Sequence, residues 1–319
     1  MYAVDRRSFL AGAAALALAP KSLAEAQGRP LALVTADLEA RLVVVDLASG
    51  RIRRYVRTLP QPRSIETVGA YAVVAHSEIG VVTVVHGGTQ AIAHVLRGFG
   101  EPRYTAAHPD GRHAYVTDAK RGEVIALDVM RGRVLSRAKV GDLARHISID
   151  PAARRLWVAL GAKAELIAVV DIRLRERPRL LRLIRPPFLA HDVAFAPDGR
   201  RAWVSSGDQN QLAIYDRRTS AVISRPVADL PPQHITFGGE RAFVTSGDSG
   251  TLRVHDRAGD QLRVSAVPKG SYNVQQADQW VVTPGLGQGS LCIFDTRGRL
   301  VHRRQVARSS HDACIVMAR

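Results

Sequence analysis

The residue types best suited to chemistry in this chain come in pairs, each pair just ahead of a short apolar run. The pairs are Arg63-Ser64, Arg103-Tyr104, Arg145-His146, His191-Asp192, Gln233-His234, Tyr272-Asn273 and His311-Asp312. Four of the eleven histidines fall in them. Imidazoles that converge can hold a transition metal, so His146, His191, His234 and His311 are the metal candidates. An imidazole oriented by a carboxylate can act as a general base, and His-Asp occurs twice, at 191-192 and 311-312. Arg63, Arg103 and Arg145 can bind an anion. The ligand-binding set therefore comprises the four histidines with Asp192, Asp312, Arg63, Arg103, Arg145, Tyr104 and Asn273. The same residue types also tie strands together, and an Asp can simply cap a turn. Structural, ligand-binding, metal-binding and acid–base readings all stay open at this level. No complete catalytic motif accompanies them. Gly-x-Ser-x-Gly does not occur. Gly285-Leu-Gly-Gln-Gly289 has no helix to follow it. Ser309-Ser310-His311-Asp312 sets triad residue types side by side, but neighbours in a strand point to opposite sides.

What must position these pairs is a repeat. An apolar alternating run ending in Asp recurs at Asp46, Asp128, Asp171, Asp216, Asp256 and Asp295, with a degenerate copy at His86. Taken in order, the steps are 40, 42, 43, 45, 40 and 39 residues. A period near 40 with several short strands per repeat means an all-β propeller. Four strands, a to d, fit each repeat. In the fifth copy, strand a (192–196) meets strand b (201–205) through Pro197-Asp-Gly-Arg200, a tight-turn sequence. Six repeats carry all four strands. The first lacks strand a, while the chain ends in an unpaired run, Asp312 to Met317. That run is expected to be the missing strand, giving seven four-stranded antiparallel blades in a ring closed by the C-terminus. Trp157, Trp203, Phe243 and Trp280 share one place in strands b and are expected between blades. The seven pairs then surround one mouth of the central channel, with Asp37, Glu78, Asp118, Asp208 and Asp248 from the b–c loops on the same face. The Asp column belongs to the c–d turns of the opposite face. Behind the pairs runs an apolar column of Ile65, Ile147, Val193, Ile235 and Val274.

Residues 109–118, Pro-Asp-Gly-Arg-His-Ala-Tyr-Val-Thr-Asp, and 196–207, Ala-Pro-Asp-Gly-Arg-Arg-Ala-Trp-Val-Ser-Ser-Gly, resemble the YVTN-repeat family of bacterial β-propellers, which are WD40-like. Tyr115-Val116-Thr117 comes nearest the naming motif, with Asp118 where Asn is usual. The resemblance covers the chain after its first segment. It implies the propeller fold and no single activity: related propellers include lactonases, the heavy chain of amine dehydrogenases and nitrous-oxide reductase, whose propeller holds a copper cluster through histidines.

Residues 1–26 read as an export signal. Arg6-Arg7-Ser8-Phe9-Leu10 resembles a twin-arginine motif; an uncharged apolar stretch and Ala24-Glu25-Ala26 follow, with cleavage expected after Ala26. The apolar stretch is too short for a membrane span, so no anchor is expected after cleavage. Residues 27–319 form one propeller domain, periplasmic or extracellular. The formal charge is +16, from 45 basic and 29 acidic residues. The arginines are scattered over every repeat without aromatic interleaving, and five of the basic residues are Lys. This excludes a nucleic-acid stripe and leaves weak contact with an acidic cell envelope. Cys292 and Cys314 form no metal motif; they read as buried thiols or one disulfide. The expected function is an exported binding or scaffold module that docks a protein or small-molecule ligand at the channel-mouth face. The rival is a metal- or cofactor-dependent enzyme or redox accessory protein, lactonase-like or dehydrogenase-associated. Without a catalytic motif, binding ranks ahead of catalysis. No cofactor is implied beyond a metal.

Overall fold

A computed structural model describes residues 28–318. The export signal expected from Arg6 and Arg7, with the cleavage expected after Ala26, lies outside the described residues. Twenty-eight strands form seven sheets of four, each antiparallel in the order a-b-c-d. Blade 1 takes its strand a from the C-terminus: Ala313–Ala318 pairs with Arg29–Ala36, Leu33 facing Cys314. Each strand a also packs against the strands a of both neighbouring blades, and this inner cycle closes. Without the C-terminal strand the inner side of Arg29–Ala36 would be an unpaired edge open to aggregation. Apart from strands, the described residues hold two short 3₁₀ turns, Asp37–Glu39 and Ser77–Ile79, both in b–c loops.

The core is divided by the ring. Seven apolar clusters each bridge one pair of neighbouring blades. Trp157, Trp203 and Phe243 are fully buried and Trp280 nearly so, each packed on the following blade. Trp157, for example, meets Phe195 and Tyr215 edge-on at 5.5 and 5.4 Å. Strands d are mostly exposed, as in Arg179–Ile184. Cys292 and Cys314 are both buried free thiols in different blades.

The repeating Asp makes the c–d turn. Asp46 accepts the backbone N–H and hydroxyl of Ser49 at 2.8 and 2.7 Å, and Asp216 does the same for Thr219. In the degenerate copy the ring nitrogen Nδ1 of His86 accepts the amides of Gly88 and Thr89 at 3.1 and 3.2 Å. Every blade also carries a one-residue register shift between strands c and d, as at Val44/Val45. Such a bulge sharpens the twist that lets blades stack radially.

A second irregularity bears on function. The sequence reading puts the polar pairs at the entry to strand a, with the fifth strand a beginning at Asp192. In blades 3, 4 and 5 the structure starts the strand earlier and puts both residues of the pair inside it. Strand a begins at Pro102, Ala144 and Ala190, and the register skips from Pro102 to Thr105, Ala144 to Ile147 and Ala190 to Val193. Two residues there oppose one on strand b, so Arg103-Tyr104, Arg145-His146 and His191-Asp192 are bulge residues. Bulges re-aim side chains out of the alternating pattern. In blade 7 the pair Tyr272-Asn273 does precede strand a, which is only Gln275–Ala277.

Candidate functional site

The strand b residue opposite a bulge decides how its backbone is held. Thr117 accepts the Tyr104 amide at 3.1 Å and donates to the Arg145 carbonyl of the next blade at 2.6 Å. Ser205 accepts the Asp192 amide at 3.0 Å and donates to the Gln233 carbonyl at 2.5 Å. The hydroxyl column thus stitches blade to blade. Blade 4 has Ala159 at that place.

The second residue of each pair has one of two fates. Some reach the next blade. Asp312 accepts the Ile65 amide at 3.1 Å, Asp192 the Ile235 amide at 2.9 Å, and Asn273 donates to the His311 carbonyl at 2.7 Å. Ser64 donates to the Arg103 carbonyl. Asp192 and Asp312 are therefore latches of the ring. Burial nevertheless pushes the Asp192 carboxyl up to about 7 and that of Asp312 well above the usual range, outweighing their backbone hydrogen bonds. Tyr104, His146 and His234 instead gather over the channel mouth. The Tyr104 ring lies 4.3 Å from that of His146 and 5.4 Å from that of His234, centroid to centroid.

His191, the first residue of its pair, joins them. Its ring is 4.4 Å from His146 and 5.5 Å from His234, and His146 is 4.8 Å from His234. One nitrogen from each of the three lies within 4.8 Å of the others. His191 donates from Nδ1 to the carbonyl of Ala162, in the b–c loop of blade 4, at 2.9 Å, since a carbonyl can only accept. That leaves Nε2 as an acceptor. His146 is 1% exposed and neither ring nitrogen has a partner. His234 Nδ1 stands 3.6 Å from Asp192 Oδ2. Burial favours the neutral form of all three imidazoles: His191 falls to about 4, and His146 and His234 well below their ordinary value; Arg145 adds to the effect on all three, and neighbouring imidazoles to that on His146 and His234.

The fourth candidate histidine lies apart from this group. His311 donates from Nδ1 to the Arg63 carbonyl at 2.8 Å, and its own carbonyl receives Asn273. It joins blades 7, 1 and 2. The arginines are likewise unequal. Arg63 pairs with Asp37 at 3.4 Å and Arg103 with Glu101 at 2.9 Å. Arg145 has no carboxylate partner among the described residues, and its buried Nε makes no hydrogen bond. Burial, then the proximity of Arg103 and Arg63, pull its affinity for the proton down, against the opposing contact with the Tyr104 side chain. The expected acidic residues of the b–c loops are mostly spent on loop structure. Asp118 accepts the amides of Gly100, Glu101 and Arg121; Asp208 accepts that of Leu189; Asp248 receives the Tyr272 hydroxyl.

Below the rim is a cavity of about 320 Å³. Tyr104, His146, His234, Asp192 and Asp312 face it, as does the apolar column from Ile65 to Val274. Glu66, which sequence reasoning missed, lines it too. It accepts the Thr67 amide at 2.9 Å and Gln275 Nε2 at 3.0 Å, and burial pushes its carboxyl up to about 7. Its signal was a carboxylate directly after the channel-facing Ile65.

No family model matches the chain. It is 28% identical over 198 residues to the uncharacterized protein YncE of Salmonella typhimurium, covering 59% of this chain and 53% of that one. Against the uncharacterized protein YncE of Escherichia coli K12 it is 32% identical over 148 residues, covering 44% and 40%. The chain thus spans about half, or less, of the length of these curated relatives. Among solved structures it is similar to the hydrazine synthase of Kuenenia stuttgartiensis, with TM-score 0.66 and 19% identity over 79% of this chain and 89% of that chain. It is also similar to a functionally unknown protein from Desulfotomaculum acetoxidans, with TM-score 0.74 and 13% identity over 91% and 99%. At these identities the likeness shows the fold alone.

Proposed function

We propose that this propeller is a binding module whose ligand docks at the channel mouth and presents an anionic group, a carboxylate or phosphate, to Arg145. The observation that carries this reading is Arg145 itself, a partly buried guanidinium without a carboxylate partner, flanked by Arg103 and Arg63 from the two preceding blades. A guanidinium so placed costs free energy unless something completes it, and planar bidentate anions suit it best. The neutral imidazoles and Tyr104 supply further donors and a stacking face. A YVTN-type repeat, with Thr117 in the hydroxyl column, belongs to the same reading. So does an exported location, periplasmic or extracellular, which rests on Arg6-Arg7 and Ala24-Glu25-Ala26.

The test compares phosphate, citrate and chloride at matched ionic strength by calorimetry and thermal shift, on wild type and Arg145→Gln. Phosphate or citrate is expected to bind wild type saturably and to lose at least about tenfold in affinity with Arg145→Gln, the worth of one charge-assisted hydrogen bond. Equal binding by both proteins, or none beyond the chloride effect, would refute it. The rival metal-dependent reading draws on a different observation, the three imidazoles.

A further inference from the structure

Two of the three imidazoles at the mouth, His146 and His234, make no hydrogen bond that holds the ring, and the third, His191, uses only Nδ1, on the Ala162 carbonyl, leaving Nε2 free. Where blades 1, 2, 5 and 7 use the second residue of the pair as a latch, blades 4 and 6 carry His146 and His234, and neither side chain makes such a bond. Buried polar groups in native proteins are nearly always satisfied, so a histidine 1% exposed with two unpartnered nitrogens needs a partner of another kind. We infer that His146, His191 and His234 ligate a single first-row divalent metal ion from the copper–zinc end of the series, with a fourth position open toward the mouth.

Several observations converge on this. Three neutral nitrogen donors from three consecutive blade positions come within 4.8 Å of one another, and among the described residues no other group of His, Cys or carboxylate does so. Imidazole donors suit zinc and copper, and three of them plus an open position is a familiar zinc arrangement. The outer contacts are those that metal-bound histidines use: Nδ1–H of His191 is fixed on the Ala162 carbonyl, and the Asp192 carboxylate stands beside Nδ1 of His234. Nitrogens bound tetrahedrally at about 2.05 Å lie about 3.3 Å apart, so the rings must turn inward by up to about 1.5 Å. His146 and His234 are the rings with no short hydrogen bond to hold them, and His191 is the anchored one. The bulges in blades 4 and 5 are the backbone device that aims His146 and His191 at one point. Tyr104 stacks beside His146, and Arg145 lies close enough to act on all three imidazoles, so the open position would take water or an anion.

The experiment uses tag-free folded protein, treated with a chelator and dialysed. It is titrated with zinc chloride in a calorimeter and with cobalt(II) in a spectrophotometer. We expect one equivalent of zinc, a higher melting midpoint, and visible cobalt bands of tetrahedral intensity. His146→Ala and His191→Gln should each lower zinc affinity by at least about 100-fold, beyond the loss typical of an outer-shell change. His191→Gln keeps a donor for Ala162, so it preserves the fold if His146→Ala does not. His86→Ala, on the opposite face, should bind as wild type. Absence of saturable zinc binding by folded wild type would overturn the assignment, as would one-equivalent binding that survives both mouth substitutions. The ion is titrated alone, so this result stands or falls separately from anion binding at Arg145.

Discussion

Glu66 makes the channel a source of pH-dependent strain, and replacing it by Gln measures how much. Burial raises its carboxyl from 4.5 to about 7. In the unfolded chain the group ionises near its ordinary value, so between these limits the folded state holds one proton more. Stability therefore falls as pH rises through the window from 4.5 to 7, by about 1.4 kcal/mol per unit. The full shift corresponds to about 3 kcal/mol. Glu66 is half-buried against the channel, and solvent screening trims the effect to about 1–2 kcal/mol. Glu66→Gln retains a carbonyl oxygen for the Thr67 amide and carries no ionisable group; Gln275 can turn its amide over to accept. Urea unfolding at pH 5, 6, 7 and 8 is the assay. Glu66→Gln should gain about 1–2 kcal/mol on wild type between pH 5 and 8, with the change complete near pH 8. Asp312, just ahead of the C-terminal strand, and Cys314 within it lie near the same group, and Glu66 helps raise both. The series is therefore repeated in an Asp312→Asn background to separate the coupled carboxyl. A difference between Glu66→Gln and wild type that stays constant from pH 5 to 8 in both backgrounds would refute the reasoning.

Asp312→Ala should orphan the buried amides of Ile65 and Ala313 and lower unfolding free energy by about 1–3 kcal/mol per amide, read from urea midpoints, with Asp312→Asn intermediate. Arg217→Ala should cost about 3–5 kcal/mol, because Asp150 is fully buried and Arg217 pairs with it at 2.9 Å across the blade 4–5 junction; a change under 1 kcal/mol would argue against that pair. Trp203→Ala empties a fully buried site between blades 5 and 6 and should cost about 3–5 kcal/mol by the same assay.

Much of the architecture is local and therefore legible. The alternation of strands, the Asp at six of the seven c–d turns and the period near 40 are written within single repeats, because a turn is closed by residues a few places apart. The missing first strand a also followed from counting, and Ala313–Ala318 fills it. The placement of Trp157, Trp203, Phe243 and Trp280 between blades followed from their shared column.

The site was legible as a column but not as an arrangement. All four histidines stand in the same set of pairs, His191 and His311 first and His146 and His234 second, yet His146, His191 and His234 meet while His311 is tied to Arg63 and Asn273. Similar pairs likewise give Asp192 and Asp312 as latches and leave His146 without a partner. The reason is that these fates are set across strands and blades. A bulge exists only when two strands choose a register, and a latch only when the next blade offers an amide at the right height. The sequence by itself thus determined seven blades, their closure and the face on which polar groups collect, because β periodicity and turn chemistry act over a few residues. Only the tertiary structure decided which of those groups hold the ring and which are left to meet at its axis, because that depends on register and curvature accumulated around the whole circle.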